Sequence, residues 1–384
     1  MKHQLRRAVL AATTILAAGA LTPPPVQAIS RNEDRVRGDQ WHLRYLRTAE
    51  AHRISKGDGT IVAVPDTGVY PHPDLAENLL SGKDIVAGGG NGWSDASGHG
   101  TGMAGLIAAH GRKSNTGALG IAPNAKILPI FVSPQGGAEA DALAAGIEFA
   151  INRHVDVISI SSGGGLTARL RTAVEAAVRA NIVVVAAAGN YPEDPGVIYP
   201  ASLPGVIAAG GITRTGEHAA ISVTGPEVDV VAPAVDIYST SINGKYRKGT
   251  GTSSATAIVA GAAALVRSKY PDLPADEVVH RLTATAVDKG PPGRDDQYGY
   301  GVIDLVAALT ADVPPLGFES AVASAPADGG GTATAAAEAA DEGDGGATAR
   351  GLATLGVIVA AGGAWALIAR RRRRGDDPPP RISR

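Results

Sequence analysis

The chain has 384 residues, 35 of them Lys or Arg and 37 Asp or Glu, for a formal net charge of −2. That length leaves room for one large catalytic domain with appendages, and the near-neutral charge argues against nucleic acid as a partner. There is no cysteine, so a disulfide, a thiolate metal site and a thiol nucleophile are excluded.

Lys2, Arg6 and Arg7 precede an apolar run over 8–21, then a proline cluster and the small-residue ending Val-Gln-Ala at Ala28. This order of charged, apolar and small residues predicts a secretory signal over 1–28. Residues 29–37 are polar and charged and read as a loose lead-in. A short amphipathic helix is expected over 40–51, with Trp41 and Leu43 as packing residues. An inhibitory pro-domain needs a core of its own, which chains below about 40 residues rarely build, so none is expected between Ala28 and this helix.

The run IVAVPD over 61–66 reads as a buried strand ending on Asp66, followed by Thr-Gly. In SGHGTGMAGLI, over 97–107, His99 lies between glycines at the start of an apolar segment, expected as a helix over 101–110. Further strands are predicted over 126–132, 155–160, 182–187, 206–211 and 228–232, with helices over 138–153 and 168–180. Apolar strands alternating with helices imply a parallel sheet covered on both faces. Such sheets carry their sites outside the carboxyl ends of the strands. Asp66, the run Ser161-Ser162-Gly163-Gly164 and Asn190 all fall at such ends.

The stretch GTGTSSATAIVAG over 249–261 passes from small residues into an apolar helix expected to reach residue 270, with another helix over 274–286. Ser253 stands at the junction, beside unpaired backbone N–H groups and the positive end of the helix dipole. Taken alone, it fits a helix cap as well as a nucleophile whose oxyanion those groups would stabilise. Residues 295–309 close the domain. Residues 311–350 are rich in Ala, Gly, Asp and Glu and cannot build a core, so they read as a tether. The uncharged run GLATLGVIVAAGGAWALIA, over 351–369, is long enough to cross a bilayer. The basic tail over 370–384 is expected on the cytoplasmic side.

Asp66 in DTG, His99 in GHGTGMAG and Ser253 in GTSSA occur in the chain order of the subtilisin triad. Together the three motifs resemble the subtilisin-like serine proteases, or subtilases, over roughly residues 38–310. The resemblance implies an α/β three-layer fold with a mostly parallel central sheet and helices on both faces, and a serine endopeptidase acting on protein or peptide. It implies Asp66, His99 and Ser253 as the triad, and Asn190 with the Ser253 N–H as oxyanion donors. Ser161, Ser162, Gly163 and Gly164 would pair with substrate backbone, and Ala188 and Gly189 would line the primary pocket, with room for a medium apolar side chain. No cofactor is implied, and no His/Asp/Glu cluster has transition-metal spacing. Some subtilases bind calcium near positions matching Asp74 and Asn115; the loop here departs in length and composition, which leaves calcium open. His72, His154, His218 and His280 read as structural residues.

QWHL over 40–43, GHGTGMAGLIA, AAAGNYP, VTGPEVDVVAP and YGYGVIDLVAAL are more similar to the mycosins, membrane-anchored subtilases of actinobacterial type VII secretion systems. That likeness implies a catalytic domain outside the membrane, substrates exported by such a system, and its membrane complex as partner. Three positions depart from the common subtilase pattern: Pro65 before Asp66, Gly102 in place of the second histidine of HGTH, and Ala257 in place of proline.

Overall fold

The computed structural model describes residues 33–317, apart from 113–115, 136 and 138. The expected signal (1–28), span (351–369), basic tail (370–384), most of the tether, and Asn115 therefore lie outside the described residues. Among the described residues no helix is long and apolar enough to cross a membrane.

In chain order the helices are α1 (Glu33–Asp39), α2 (Trp41–Tyr45), α3 (Thr48–Ala51), α4 (His99–Ala108), α5 (Ala140–Asn152), α6 (Ala168–Arg179), α7 (Thr252–Lys269), α8 (Ala275–Ala284) and α9 (Leu305–Thr310). The strands are β1 (Ile61–Asp66), β2 (Lys83–Asp84), β3 (His110–Arg112), β4 (Thr116–Leu119), β5 (Lys126–Phe131), β6 (Val157–Ile160), β7 (Val183–Ala187), β8 (Val206–Ile212), β9 (Val228–Pro233), β10 (Ile237–Thr240) and β11 (Tyr246–Gly249). Seven of them form one sheet in the order β2-β5-β1-β6-β7-β8-β9, and every pairing in it is parallel. The α/β architecture expected from the sequence is thus present.

The strand alternation divides the core in two. Val62, Val64, Val183, Val185, Ile207 and Ala209 join α4, α7 and α8 residues in one buried cluster. Ala63, Ile158, Ile160, Val184, Ala186 and Ala208 join α5 and α6 residues in the other. Residues two apart share a face of the sheet, so each apolar strand feeds both layers. Helix α7 is buried around its whole circumference from Ala255 to Val266, as an all-round apolar helix must be. Gly261 lets it approach the 121 segment, since a Cβ there would lie 2.7 Å from Ile121 Cβ.

Three local departures have physical causes. Residues 33–37, expected within the lead-in, belong to α1. Val36 is fully buried in a cluster with Ala109, Ala118 and Tyr246, and Arg37 Nε donates to Gly117 O at 3.1 Å. One apolar residue among charges gives no periodicity; the hairpin β3–β4 supplies the partner surface. The helix expected over 40–51 is two helices, broken where Arg47 takes φ 51°. The antiparallel hairpins β3–β4 and β10–β11 are short, and their strands lack a clean apolar alternation.

Candidate active site

β1 lies between β5 and β6, where the strand order reverses, and Asp66 is its last residue. Open parallel sheets form their binding crevice at such a switch point. His99 begins α4 directly after Gly98, whose φ of 77° turns the chain into the helix. Its Nδ1–H donates to Asp66 Oδ1 at 2.8 Å and approaches Oδ2 at 3.0 Å. The Asp66 side chain is fully buried and that of His99 is 21% exposed, which leaves an imidazole edge facing outward. Thr67 N also donates to Asp66 Oδ1, at 2.7 Å.

Ser253 occupies the first turn of α7, after Gly251 at φ 151°. Its hydroxyl donates to Ser161 O at 3.0 Å, and Ser161 Oγ donates to Ser253 O at 3.2 Å. The structure thus joins Asp66 to His99, and Ser253 to Ser161 at the end of β6, while the Ser253 hydroxyl is turned toward the Ser161 carbonyl instead of the imidazole. Asn190 follows β7. Its Oδ1 accepts from Thr252 N at 2.9 Å and Thr252 Oγ1 at 3.2 Å, which leaves Nδ2, a group that can only donate, unengaged. Asp194 Oδ2 accepts from Asn190 N at 2.7 Å and fixes this turn.

Ser161 and Ser162 are buried, and Gly163 and Gly164 continue them beside the 198–199 segment. Gly164 N donates to Tyr199 O at 3.0 Å. A Cβ at Gly163 would lie 2.4 Å from Tyr199 O and 2.7 Å from Ile198 Cδ1. Ala188 O accepts from Ile198 N at 3.0 Å, and Gly189, at φ 122°, closes against the Asp194 carboxylate. Ile198 therefore stands between the segment expected to pair with substrate backbone and the one expected to line the primary pocket, with its side chain against Gly163.

The residues that support this arrangement were not found from sequence. Asp95, buried ahead of α4, accepts from Thr67 Oγ1 (2.9 Å), Ser97 N (3.0 Å), Gly98 N (2.8 Å), Thr101 N (3.0 Å) and Thr101 Oγ1 (2.6 Å). An acidic residue a few positions before a helix start is a usable signal, and Asp95 stands four residues before His99. Arg247 reaches Gly98 O from β11 and has no local signal at all.

The Asp74 position does not fit calcium. Its Oδ1 accepts from Arg112 Nε at 2.6 Å, and its Oδ2 from Ala118 N at 2.7 Å and Tyr246 Oη at 2.8 Å. A guanidinium and two further donors occupy the lone pairs that a hard cation would need. No group of three or more His, Asp and Glu among the described residues could hold a metal ion. His72 is fully buried, and its Nδ1 accepts from Asp74 N at 3.0 Å, so it is a structural residue as expected.

Residues 57–301 match the subtilase family, and the chain belongs to it: the protein is a subtilisin-type serine endopeptidase. It is 37% identical over 73% of its length to the thermostable alkaline protease of Halalkalibacterium halodurans, covering 76% of that protein. Within the family it is mycosin-like. Mycosin-1 of Mycobacterium tuberculosis is 35% identical, with 80% of this chain and 86% of that protein covered. The crystal structure of the serine protease MycP1, an essential component of the type VII (ESX-1) secretion system, superposes with a TM-score of 0.63 at 34% identity, over 76% of this chain and 91% of that one.

Proposed function

We propose that the protein is a membrane-anchored protease whose catalytic domain stands outside the membrane, with Asp66, His99 and Ser253 as its triad. The observation that carries this reading is the buried Asp66 carboxylate holding His99 Nδ1 at 2.8 Å, at the end of the strand where the sheet order reverses. That bond fixes the tautomer with Nε2 free to act as base. Ser253 gives up its bond to Ser161 O by rotation about χ1 and transfers its proton to His99 Nε2 as Oγ attacks the peptide carbonyl. Asp66 stays ionised and stabilises the imidazolium. The Ser253 N–H, an orphan donor of the first helical turn, and Asn190 Nδ2 receive the oxyanion. The imidazolium then protonates the leaving amine, and water hydrolyses the acyl-enzyme by the same route in reverse. Ser161, Ser162, Gly163, Gly164, Ala188 and Gly189 hold the peptide.

Anchoring is supported by the uncharged run over 351–369 and the arginine block after it. A role in type VII secretion is supported by the likeness to Mycosin-1 and MycP1; the substrates would be proteins exported by such a system and the partner its membrane complex. The Ser253 hydroxyl turned toward Ser161 favours a second reading, in which the protein stabilises that complex and proteolysis is dispensable. The test is covalent labelling of the full-length chain by a fluorophosphonate, beside Ser253→Ala. Labelling that disappears in the variant supports the triad; a folded wild-type protein that does not label supports the scaffold reading.

A further inference from the structure

A cavity of about 640 Å³ opens at the amino ends of β7 and β8, the opposite end of the sheet from Asp66. Val183, the first residue of β7, and Gly205, just before β8, line it. One wall is the end of α6, at Val178. Another is a face of α8, on which Val279 and Thr283 stand four residues apart. Two more of its lining side chains are large, apolar and exposed: Tyr300 at 45% and Leu316 at 44%.

Helix α8 leads the end of the described chain to this cavity. Arg281 Nη1 donates to Ala308 O at 3.2 Å and to Ala311 O at 2.9 Å. His280 Nε2 donates to Pro314 O at 3.1 Å, and Leu316 N donates to Glu277 Oε1 at 2.8 Å. As the chain advances from 308 to 316, its partners on α8 step back from Arg281 to Glu277, which delivers Leu316 to the cavity wall. Phe318 lies two residues further on, just beyond the described residues, and is the only aromatic residue between Tyr300 and Trp365. Two residues reach at most about 7 Å, so a ring at 318 has this cavity in range.

We propose that the cavity is the seat of the Phe318 side chain, so that the chain's own continuation closes the base of the sheet and fixes the point from which the tether departs. The occupant follows from where the held chain ends. Leu316 is part of the wall, and the ring two residues on is the one aromatic group in the segment 311–350. Seating it withdraws the ring, and the exposed faces of Tyr300 and Leu316 with it, from water. The tether then leaves the domain at the end of the sheet opposite the crevice, and Asp66, His99 and Ser253 stay open to a protein substrate. Only that consequence rests on the reading of those three as the triad; the docking does not.

The experiment is limited digestion of the full-length chain by chymotrypsin, whose hydrophobic slot takes the side chain before the cleaved bond, with mass spectrometry of the fragment that begins at Glu319. Every protein in the series carries Ser253→Ala, so that no cleavage is the chain's own. A seated ring is out of the protease's reach, and cleavage tracks the fraction of molecules that have released it. Thr283→Trp, which fills the cavity from α8, is expected to speed cleavage after Phe318 by about ten-fold or more. Val279→Asp, which places a charge in the wall, is expected to do the same. Phe318→Ala is expected to lower the melting temperature by a few degrees in the parent but not beside Thr283→Trp, because the two changes remove one contact. Equal cleavage rates in the parent and both cavity variants overturn the proposal, as does a Phe318→Ala effect of the same size in both backgrounds. Protection in the parent that fades on dilution also overturns it, and assigns the cavity to a second copy of the chain. Circular dichroism checks the fold of each variant, and Val279→Asp decides the matter if Thr283→Trp does not fold.

Discussion

Replacing Asp95 by alanine should unfold the start of α4 at a cost large enough to measure without ambiguity. Its carboxylate accepts from five donors, at 2.6–3.0 Å. Two hydroxyl donors have other engagements: Thr67 Oγ1 accepts from Gly100 N and Thr101 Oγ1 accepts from Tyr70 N, so they stay partly satisfied. The backbone donors of Gly98 and Thr101 are buried and would lose their partner outright. A buried donor left without an acceptor costs about 1–3 kcal/mol, and the bonds are charge-assisted but share one acceptor, so they do not add fully. The expected loss is about 3–5 kcal/mol, or a fall in melting temperature of roughly 10 °C for a domain of this size. Asp95→Asn should cost about half as much, because one amide oxygen still serves Thr67, Ser97 and Gly98 while the NH2 group opposes Thr101 N. The assay is a thermal melt followed by circular dichroism, with fluorophosphonate labelling beside it. If Asp95→Ala melts within about 2 °C of wild type, the claim that this carboxylate organises the start of the helix is wrong.

Burial lowers the pKa of His42 to about 3, with Arg44 adding to the shift, so the folded protein holds it neutral while an unfolded chain protonates it near the ordinary histidine value of 6.5. Folded pKa below unfolded pKa means that the stability is complete above pH 6.5 and is lost as the pH falls toward 3. The loss is about 2 kcal/mol at pH 5. Denaturant unfolding of wild type and His42→Met at pH 8 and pH 5 should show that extra acid sensitivity only in wild type; parallel slopes would sink the idea. Ile198→Gly should raise kcat/KM for peptides with an aromatic residue before the cleaved bond by about ten-fold or more relative to alanine there, and an unchanged ratio of the two would place the primary pocket elsewhere. Because donors already fill the Asp74 oxygens, a calcium chelator should leave the melting temperature unmoved; Arg112→Ala should lower it by several degrees, and chelator sensitivity of the wild type would refute the assignment.

The parts of the site legible in the sequence are those that a single element positions. A strand that runs apolar to its last residue delivers Asp66 to the carboxyl end of a central strand; a Gly-flanked helix start delivers His99; another delivers Ser253. Each is a local event, and the period and the breakers of the chain report it directly. The central sheet was readable for the same reason, since strands buried on both faces need apolar residues at every position. What was not readable is the support from distant residues. Arg247 meets Gly98 across 149 residues of chain, and neither residue type announces the bond. Gly102 and Gly105 lie within a stretch expected as a helix, and their purpose is not legible there, because the hairpin β10–β11 that packs on them lies more than a hundred positions away in the chain. Ile198 is nearer in the chain, but nothing in its own stretch announces that it packs on Gly163 and bonds to Ala188. Motifs therefore point to the groups proposed to react. The charge around the base and the room for the substrate side chain depend on contacts made only when the chain is folded. These are the quantities that can differ between subtilases sharing the same three motifs. A change at Ile198 should alter what the enzyme cuts with Asp66, His99 and Ser253 untouched.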